Sequence, residues 1–215
     1  FFYLDKFLIY ILFNGIYMKK ISNSEIEKIY LREIDFLVDG ITNISNPFHY
    51  FTLSTINNNS SSIRTVVLRN LVLNPLSFYF NADYRSPKVK QLLKNKYCSI
   101  LFFDFKRKIQ IRVLCKPIVN HKNSVCKEVW SKTLLQSRKC YMGKYSPSQD
   151  LDKWHPNVPL KYLEKDPSKV DSELGYENFS VIKLVSSNLD ILELHYDGHI
   201  RFNVDSSGMF KFIAP

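Results

Sequence analysis

Between Ile63 and Pro117, Arg64, Arg69, Arg85, Ser86, Lys88, Gln110 and Arg112 fall on or beside apolar, β-rich runs. Those residue types suit one chemistry above others, the binding of a phosphate. A guanidinium offers a planar fork of donors that grips phosphate oxygens in pairs, and a lysine ammonium adds a compact charge. Ser86 and Pro87 stand at the start of a helix expected over Lys88–Lys94, with Ser86 at or near the N-cap and Pro87 in the first turn. Free N–H groups and the positive end of the helix dipole favour an anion there. Arg64 and Arg69 lie five residues apart on one expected strand, so ideal pleating turns them to opposite faces and gives them separate roles. Gln110, a neutral amide in an alternating apolar strand, calls for a polar partner. Arg112 shares its face and either neutralises a bound anion or pairs with a carboxylate. The competing reading of the whole set is a solvated basic surface on a sheet.

Short strands separated by turn residues must position these groups. The runs His49–Ile56, the Ile63 strand, Leu76–Asn81, Tyr97–Phe105 and Lys108–Val119 read as strands, with Lys106-Arg107-Lys108 at a hairpin tip. Further strands are expected over Phe179–Val185, Leu189–Tyr196, His199–Val204 and Met209–Ile213, with Asp197-Gly198 as a hairpin signal. A helix starting at Ser24, boxed by Glu27 and ended by Gly40, turns Ile26, Ile29, Tyr30, Ile34, Leu37 and Val38 to one face. Ser124–Leu135 is a second helical segment, and residues 137–170, with Pro147, Pro156, Pro159 and Pro167, read as a long irregular loop. Many short antiparallel strands without strand–helix alternation predict a mainly β barrel or sandwich. There is no G-x-G-x-x-G and no Walker loop.

A length of 215 residues suits one domain, here residues 18–215, preceded by an apolar extension over residues 1–17. That extension is broken by Asp5 and Lys6 and falls short of the ~20 apolar residues of a membrane span, so it reads as sequence upstream of a natural start at Met18 or as a poorly specified extension, with a membrane anchor as the alternative; the expected cytoplasmic location rests on the cysteines below. The net charge of +10 fits a lysine-rich surface, a nucleic-acid or membrane partner, or attraction of anionic small molecules. The four cysteines, Cys98, Cys115, Cys126 and Cys140, form no C-x-x-C pair, and no histidine has zinc spacing, so no metal site is expected; Cys98 and Cys115 read as reduced core residues.

The order R-T-V-V-L-R, F-Y-F-N, R-S-P-K and I-Q-I-R-V resembles the pyridoxamine 5'-phosphate oxidase-like family, the FMN-binding split-barrel flavoproteins. The resemblance covers Ile44–Pro117 well and Phe179–Pro215 more loosely. It implies an antiparallel split barrel of six to eight strands with a few peripheral helices, an FMN cofactor and a site built across a homodimer interface. It assigns the FMN phosphate to Arg64, Arg85, Ser86 and Lys88. The backbone of Thr65, Val66, Val67 and Leu68 lies along the flavin, and Arg69 faces the ring or substrate side. Tyr79 and Phe80 match a cofactor-contacting pair, Gln110 the flavin's pyrimidine edge, Arg112 a reduced-flavin charge, and Arg201 a contact from the partner subunit. The final hairpin departs from the oxidases: His195 stands where they carry Trp, Asn203 where they carry His, and Asp205 where they carry a second Arg. The resemblance therefore implies an FMN-binding oxidoreductase of unknown catalytic residues, with true pyridoxamine phosphate turnover as one alternative. A flavin carrier or a basic nucleic-acid-binding barrel is the other.

Overall fold

The computed structural model describes residues 21–215; the extension expected over residues 1–17 lies outside them. Among the described residues nine strands form one antiparallel sheet: β1 (Tyr50–Asn57), β2 (Ser60–Val67), β3 (Asn70–Leu73), β4 (Leu76–Asp83), β5 (Cys98–Asp104), β6 (Ile109–His121), β7 (Phe179–Glu193), β8 (Ile200–Asp205) and β9 (Phe210–Phe212). The pairing order is β2-β1-β5-β6-β7-β4-β3, with β8 added to β7 and β9 to β8. The sheet forms a split barrel, and the Arg69 N–H donates to the Tyr79 carbonyl at 2.8 Å, extending the β3–β4 ladder toward the end of β2. Period-two alternation explains the core: Phe51, Leu53, Ile100, Phe102, Ile109, Ile111 and Val113 point inward and are buried. Phe78 and Phe80 join them, so these rings of the aromatic runs are core rather than exposed platforms.

Two expected strands, Phe179–Val185 and Leu189–Tyr196, are one. β7 runs unbroken for 15 residues; its first part pairs with β4, its second with β8, and β6 lies along its whole length. The polar Ser186–Asn188 stretch looks like a turn in sequence, but here it passes a register shift at Leu114/Cys115 of β6. β3 was concealed because Asn74-Pro75 closes a hairpin so soon after β2.

Helix α1 spans Asn23–Asp39 and is capped two residues earlier than the sequence suggests: Ser22, not Ser24, closes a capping box with Glu25. Gly40 ends it in ordinary right-handed geometry, and a Cβ there would lie 2.9 Å from the Phe48 carbonyl carbon, so this glycine serves close approach. Glu33, fully buried, takes both oxygens to the Arg107 guanidinium and one to Arg32, tying α1 to the β5–β6 hairpin. Arg107 also bonds Asp104 and lies 3.6 Å from the Phe36 ring centroid. The K-R-K tip is therefore only partly a solvated basic patch.

The remaining helices are α2 (Pro87–Lys94), α3 (Ser124–Lys132), α4 (Leu135–Arg138) and α5 (Lys169–Ser172), with 3-10 turns at Lys139–Tyr141 and Leu160–Tyr162 inside the stretch expected to be irregular. Arg138, only 2% exposed, organises this cover. It donates to the carbonyls of Thr133 and Trp130, to Ser172 Oγ and to Glu173, and stacks over the Trp130 ring. Among the described residues no helix is long and apolar enough to cross a membrane.

All four cysteines are free thiols. Cys98 and Cys115 face each other across β5 and β6 in the core, and burial pushes the Cys98 thiol up to about 12 and the Cys115 thiol well above its ordinary value. In the native protein an aromatic disulfide reagent should therefore label exposed Cys140 quickly and Cys98 and Cys115 only on unfolding. Rapid labelling of the core pair at neutral pH would contradict this burial.

Candidate functional site

The cation cluster forms where the open edge of β2 meets the end of β4 and the start of α2. Arg64, on β2, turns toward the barrel mouth and donates to Ser62 Oγ, Thr55 Oγ1 and Gln91 Oε1 of α2, all neutral acceptors. Thr55 and Gln91, buried and hydrogen-bonded to each other, thus aim the guanidinium without neutralising it. Lys88, in the first turn of α2, is half-buried, and among the described residues its ammonium has no hydrogen-bond or ion-pair partner. Burial lowers its pKa, the neighbouring Arg64 charge lowers it further, and Asp83 offsets part of this. Burial lowers the Arg64 pKa as well.

Ser86 completes the cluster. It occupies the α2 N-cap, is 1% exposed, makes no capping bond, and leaves its hydroxyl oxygen buried without a partner. An N-cap serine usually satisfies a first-turn N–H. An orphaned hydroxyl, two cations that repel each other and the N-terminus of an eight-residue helix have one common remedy, a bound anion. A phosphate monoester, with about −1.5 to −2 charge and three acceptor oxygens, fits that donor set.

Arg85, expected beside them, is committed elsewhere. It forms a salt bridge with buried Asp83 and donates to the carbonyls of Gly143 and Lys144, fastening the cover to the end of β4. From Thr65 to Leu68 the chain leaves the cluster along β2. Val66 and Leu68 are buried, Thr65 is exposed and Val67 half-buried, so what this stretch offers a ligand along its open edge is chiefly backbone. Arg69 lies beyond the strand end, exposed, beside Tyr79 and a cleft under α3. Tyr79 is half-buried with the Lys183 ammonium over its ring, whereas the Phe80 side chain is core, packed edge-on to Phe51.

Gln110, Arg112 and Arg201 gather on a different surface, the outer face of the sheet. The register aligns Leu101, Arg112, Asp190 and Asn203 across four strands, and Phe103, Gln110, Leu192 and Arg201 in the next row. Asp190 binds both arginines, Arg112 at 2.6 Å and Arg201 at 2.8 Å. Burial works against its ionised form, but the bonds from Arg201 and Arg112 prevail and hold its carboxyl below the usual range. The triad keeps a formal charge of +1 beside a shallow groove lined by Gln110, Thr52, Ser54 and Ile63. Asn203 Oδ1 is buried there without a partner. Asp205 serves a local purpose: it accepts from Ser207 N, Ser207 Oγ and Met209 N, closing the β8–β9 turn. Those bonds hold its pKa down, the Ser207 side chain foremost. Sequence reasoning missed Gln91, Thr55 and Asp190, the three residues that aim the arginines. Asp190 was readable, since a carboxylate in the apolar run L-D-I-L needs a cation opposite it.

The structure is thus a split barrel with an anion-fitting cluster at the mouth of its seam. The family model for the pyridoxamine 5'-phosphate oxidase, FMN-binding domain matches residues 35–119, and the match supports that family for this part of the chain. No curated protein matches it by sequence. Among solved structures it is similar to a pyridoxamine 5'-phosphate oxidase-related, FMN-binding protein from Nostoc punctiforme PCC 73102, with 16% identity, 91% of this chain and 100% of that one covered, and a TM-score of 0.63. It is similar also to PhzG from Burkholderia lata 383, solved with tetrahydrophenazine-1-carboxylic acid, with 12% identity, 92% and 95% coverage and a TM-score of 0.61. At such identities these neighbours establish the fold.

Proposed function

We propose that the protein binds FMN by its phosphate at Arg64, Lys88 and Ser86 and acts as a flavin-dependent oxidoreductase. The unpartnered Lys88 ammonium beside Arg64 and the orphaned Ser86 hydroxyl carry this reading. When bound, the flavin supplies hydride or electron transfer. The chain's own residues bind and orient it: the cradle fixes one end, and the open edge of β2 runs from the cradle to Arg69.

A second copy of the chain completes the site. Gln110, Arg112 and Arg201 face away from the cradle, on a sheet face where Ile63 is 65% and Phe103 46% exposed. Exposed apolar side chains beside a partly exposed polar cluster, with Arg112 open to solvent, suit a subunit interface, and a two-fold pairing of this face would bring the three residues to the partner's seam. The buried, reduced cysteines suit a cytoplasmic setting. Titrating FMN into the purified protein tests the proposal: quenched flavin fluorescence with saturation at one FMN per chain is expected, and unchanged fluorescence at millimolar protein excludes it. Sedimentation in the same buffer should show a dimer that Arg112→Glu weakens.

Turnover of pyridoxamine phosphate finds no support at the last hairpin. Asn203 and Asp205 offer no cation for a second phosphate, and Asp205 is bound into its turn.

A further inference from the structure

A second cavity of about 530 Å³ lies between α3–α4 and the outer face of β4 and β7. That is within the ~300–1,000 Å³ typical of small-molecule sites. It begins at Arg69, where the β2 stretch leading from the phosphate cradle ends. Its walls are Val125, Val129, Leu134 and Val181, with the rings of Tyr79 and Tyr141. Burial raises the Tyr141 pKa far above its ordinary value, so the phenol stays neutral.

The charges around this cavity are unevenly committed. Lys132, on the rim, is paired with Glu128 one helical turn earlier at 2.7 Å, and the pair cancels. Lys183 sits over the Tyr79 ring, outside the lining. Arg69 lines the cleft, and among the described residues its guanidinium has no hydrogen-bond or ion-pair partner. Asn81 lines it too and buries its side-chain oxygen without a partner. Among the described residues the cleft thus presents apolar walls edged by Asn70, Thr133 and Ser137, one unpaired guanidinium and one unsatisfied amide oxygen.

From this we infer that the cavity takes a flat aromatic acid bearing a single carboxylate, and discriminates against phosphate monoesters. The carboxylate meets the Arg69 fork, the ring lies between the valine face of α3 and Tyr79, and a polar ring substituent reaches Asn81. A phosphate monoester would bring about −1.5 to −2 charge and three acceptor oxygens to one guanidinium. The phosphate cradle at Ser86, by comparison, commits two cations, a hydroxyl and a helix N-terminus to that task. The inference deepens the flavoprotein reading by naming the substrate class at the Arg69 end of the flavin seam, and rests on that reading for its catalytic meaning.

The test compares two ligands that share a ring and differ in head group. Calorimetric titration of the full chain with naphthalene-2-carboxylate, with and without FMN, and with 2-naphthyl phosphate once FMN fills the cradle, should show the carboxylate binding about tenfold tighter or more. Arg69→Gln should lose that margin through weaker carboxylate binding, and Val129→Trp, which fills the cleft, should abolish binding of the carboxylate. Equal or tighter binding of the phosphate ester, no carboxylate binding at millimolar concentration, or full affinity in either variant would overturn the inference. A chain that takes up the carboxylate but no FMN would refute the flavin reading and leave the head-group preference standing; uptake of FMN without the carboxylate would do the reverse.

Discussion

Lys88→Ala should weaken FMN binding by roughly 10- to 150-fold, the equivalent of about 1.5–3 kcal/mol for a charge-assisted hydrogen bond to phosphate. The same substitution should raise the midpoint of thermal unfolding of the FMN-free protein. Both effects come from one fact: the ammonium is half-buried, unpartnered and held beside Arg64, so it costs stability until an anion arrives. Arg64→Ala should lose FMN affinity by a similar factor without the gain in stability, because its guanidinium already has hydrogen-bond acceptors in Ser62, Thr55 and Gln91 and the last two would be left under-satisfied. Lys88→Arg should retain most of the affinity. Fluorescence titration and a thermal melt of the FMN-free variants read both quantities. A Lys88→Ala protein that binds FMN as the parent does, or that melts earlier without FMN, would place the phosphate elsewhere.

That Arg64, Ser86 and Lys88 could share one site was legible in the sequence because the parts are local signals: an arginine in a β run, and a Ser-Pro-Lys start to a helix. What could not be read was which cations are free. Arg85 looks equivalent to Arg64 by type and spacing, yet Asp83 two residues earlier claims it. Arg112 and Arg201 share a carboxylate that reaches them only through the register of β6, β7 and β8. Pairings of that kind depend on strand order, and strand order is set by long-range closure that no local pattern records. The same holds for the long β7: its polar middle reads as a turn, and only its position across from the β6 register shift keeps it extended. The stretch 137–170 lacks periodicity because one buried arginine, rather than a repeating apolar face, organises its N-terminal end. Turn chemistry was partly legible. The capping box was recognised as a type of signal, but S-N-S-E-I-E contains two registers for it, and the hydrogen bonds select Ser22 with Glu25.

Arg107→Ala should destabilise the fold by about 3 kcal/mol or more, within the range for breaking a buried ion pair by removing one partner. Glu33 is the reason. Its side chain is 1% exposed and receives two bonds from Arg107, at 2.7 and 2.9 Å, with Arg32 on the solvent side as its other cation. Removing Arg107 leaves a carboxylate inside the α1–hairpin joint, facing Phe36 and Phe48 where the guanidinium lay. Arg107→Ala with Glu33→Leu should recover much of the loss, because the buried charge goes with its partner. The pH dependence separates this account from simple loss of packing. Burial alone would raise the Asp104 pKa, but the backbone and side-chain bonds from Arg107 outweigh it and hold the carboxyl below its ordinary value. A carboxyl held low in the folded state contributes stability that is present above its unfolded pKa, about 3.9, and is lost as pH falls through the folded value. The parent should therefore lose stability as pH drops below about 4, and the Arg107→Ala variant should show a shallower loss over that range. Urea unfolding midpoints between neutral pH and pH 3 measure both slopes. Parallel slopes would mean that Arg107 acts here through its stacking on Phe36 alone.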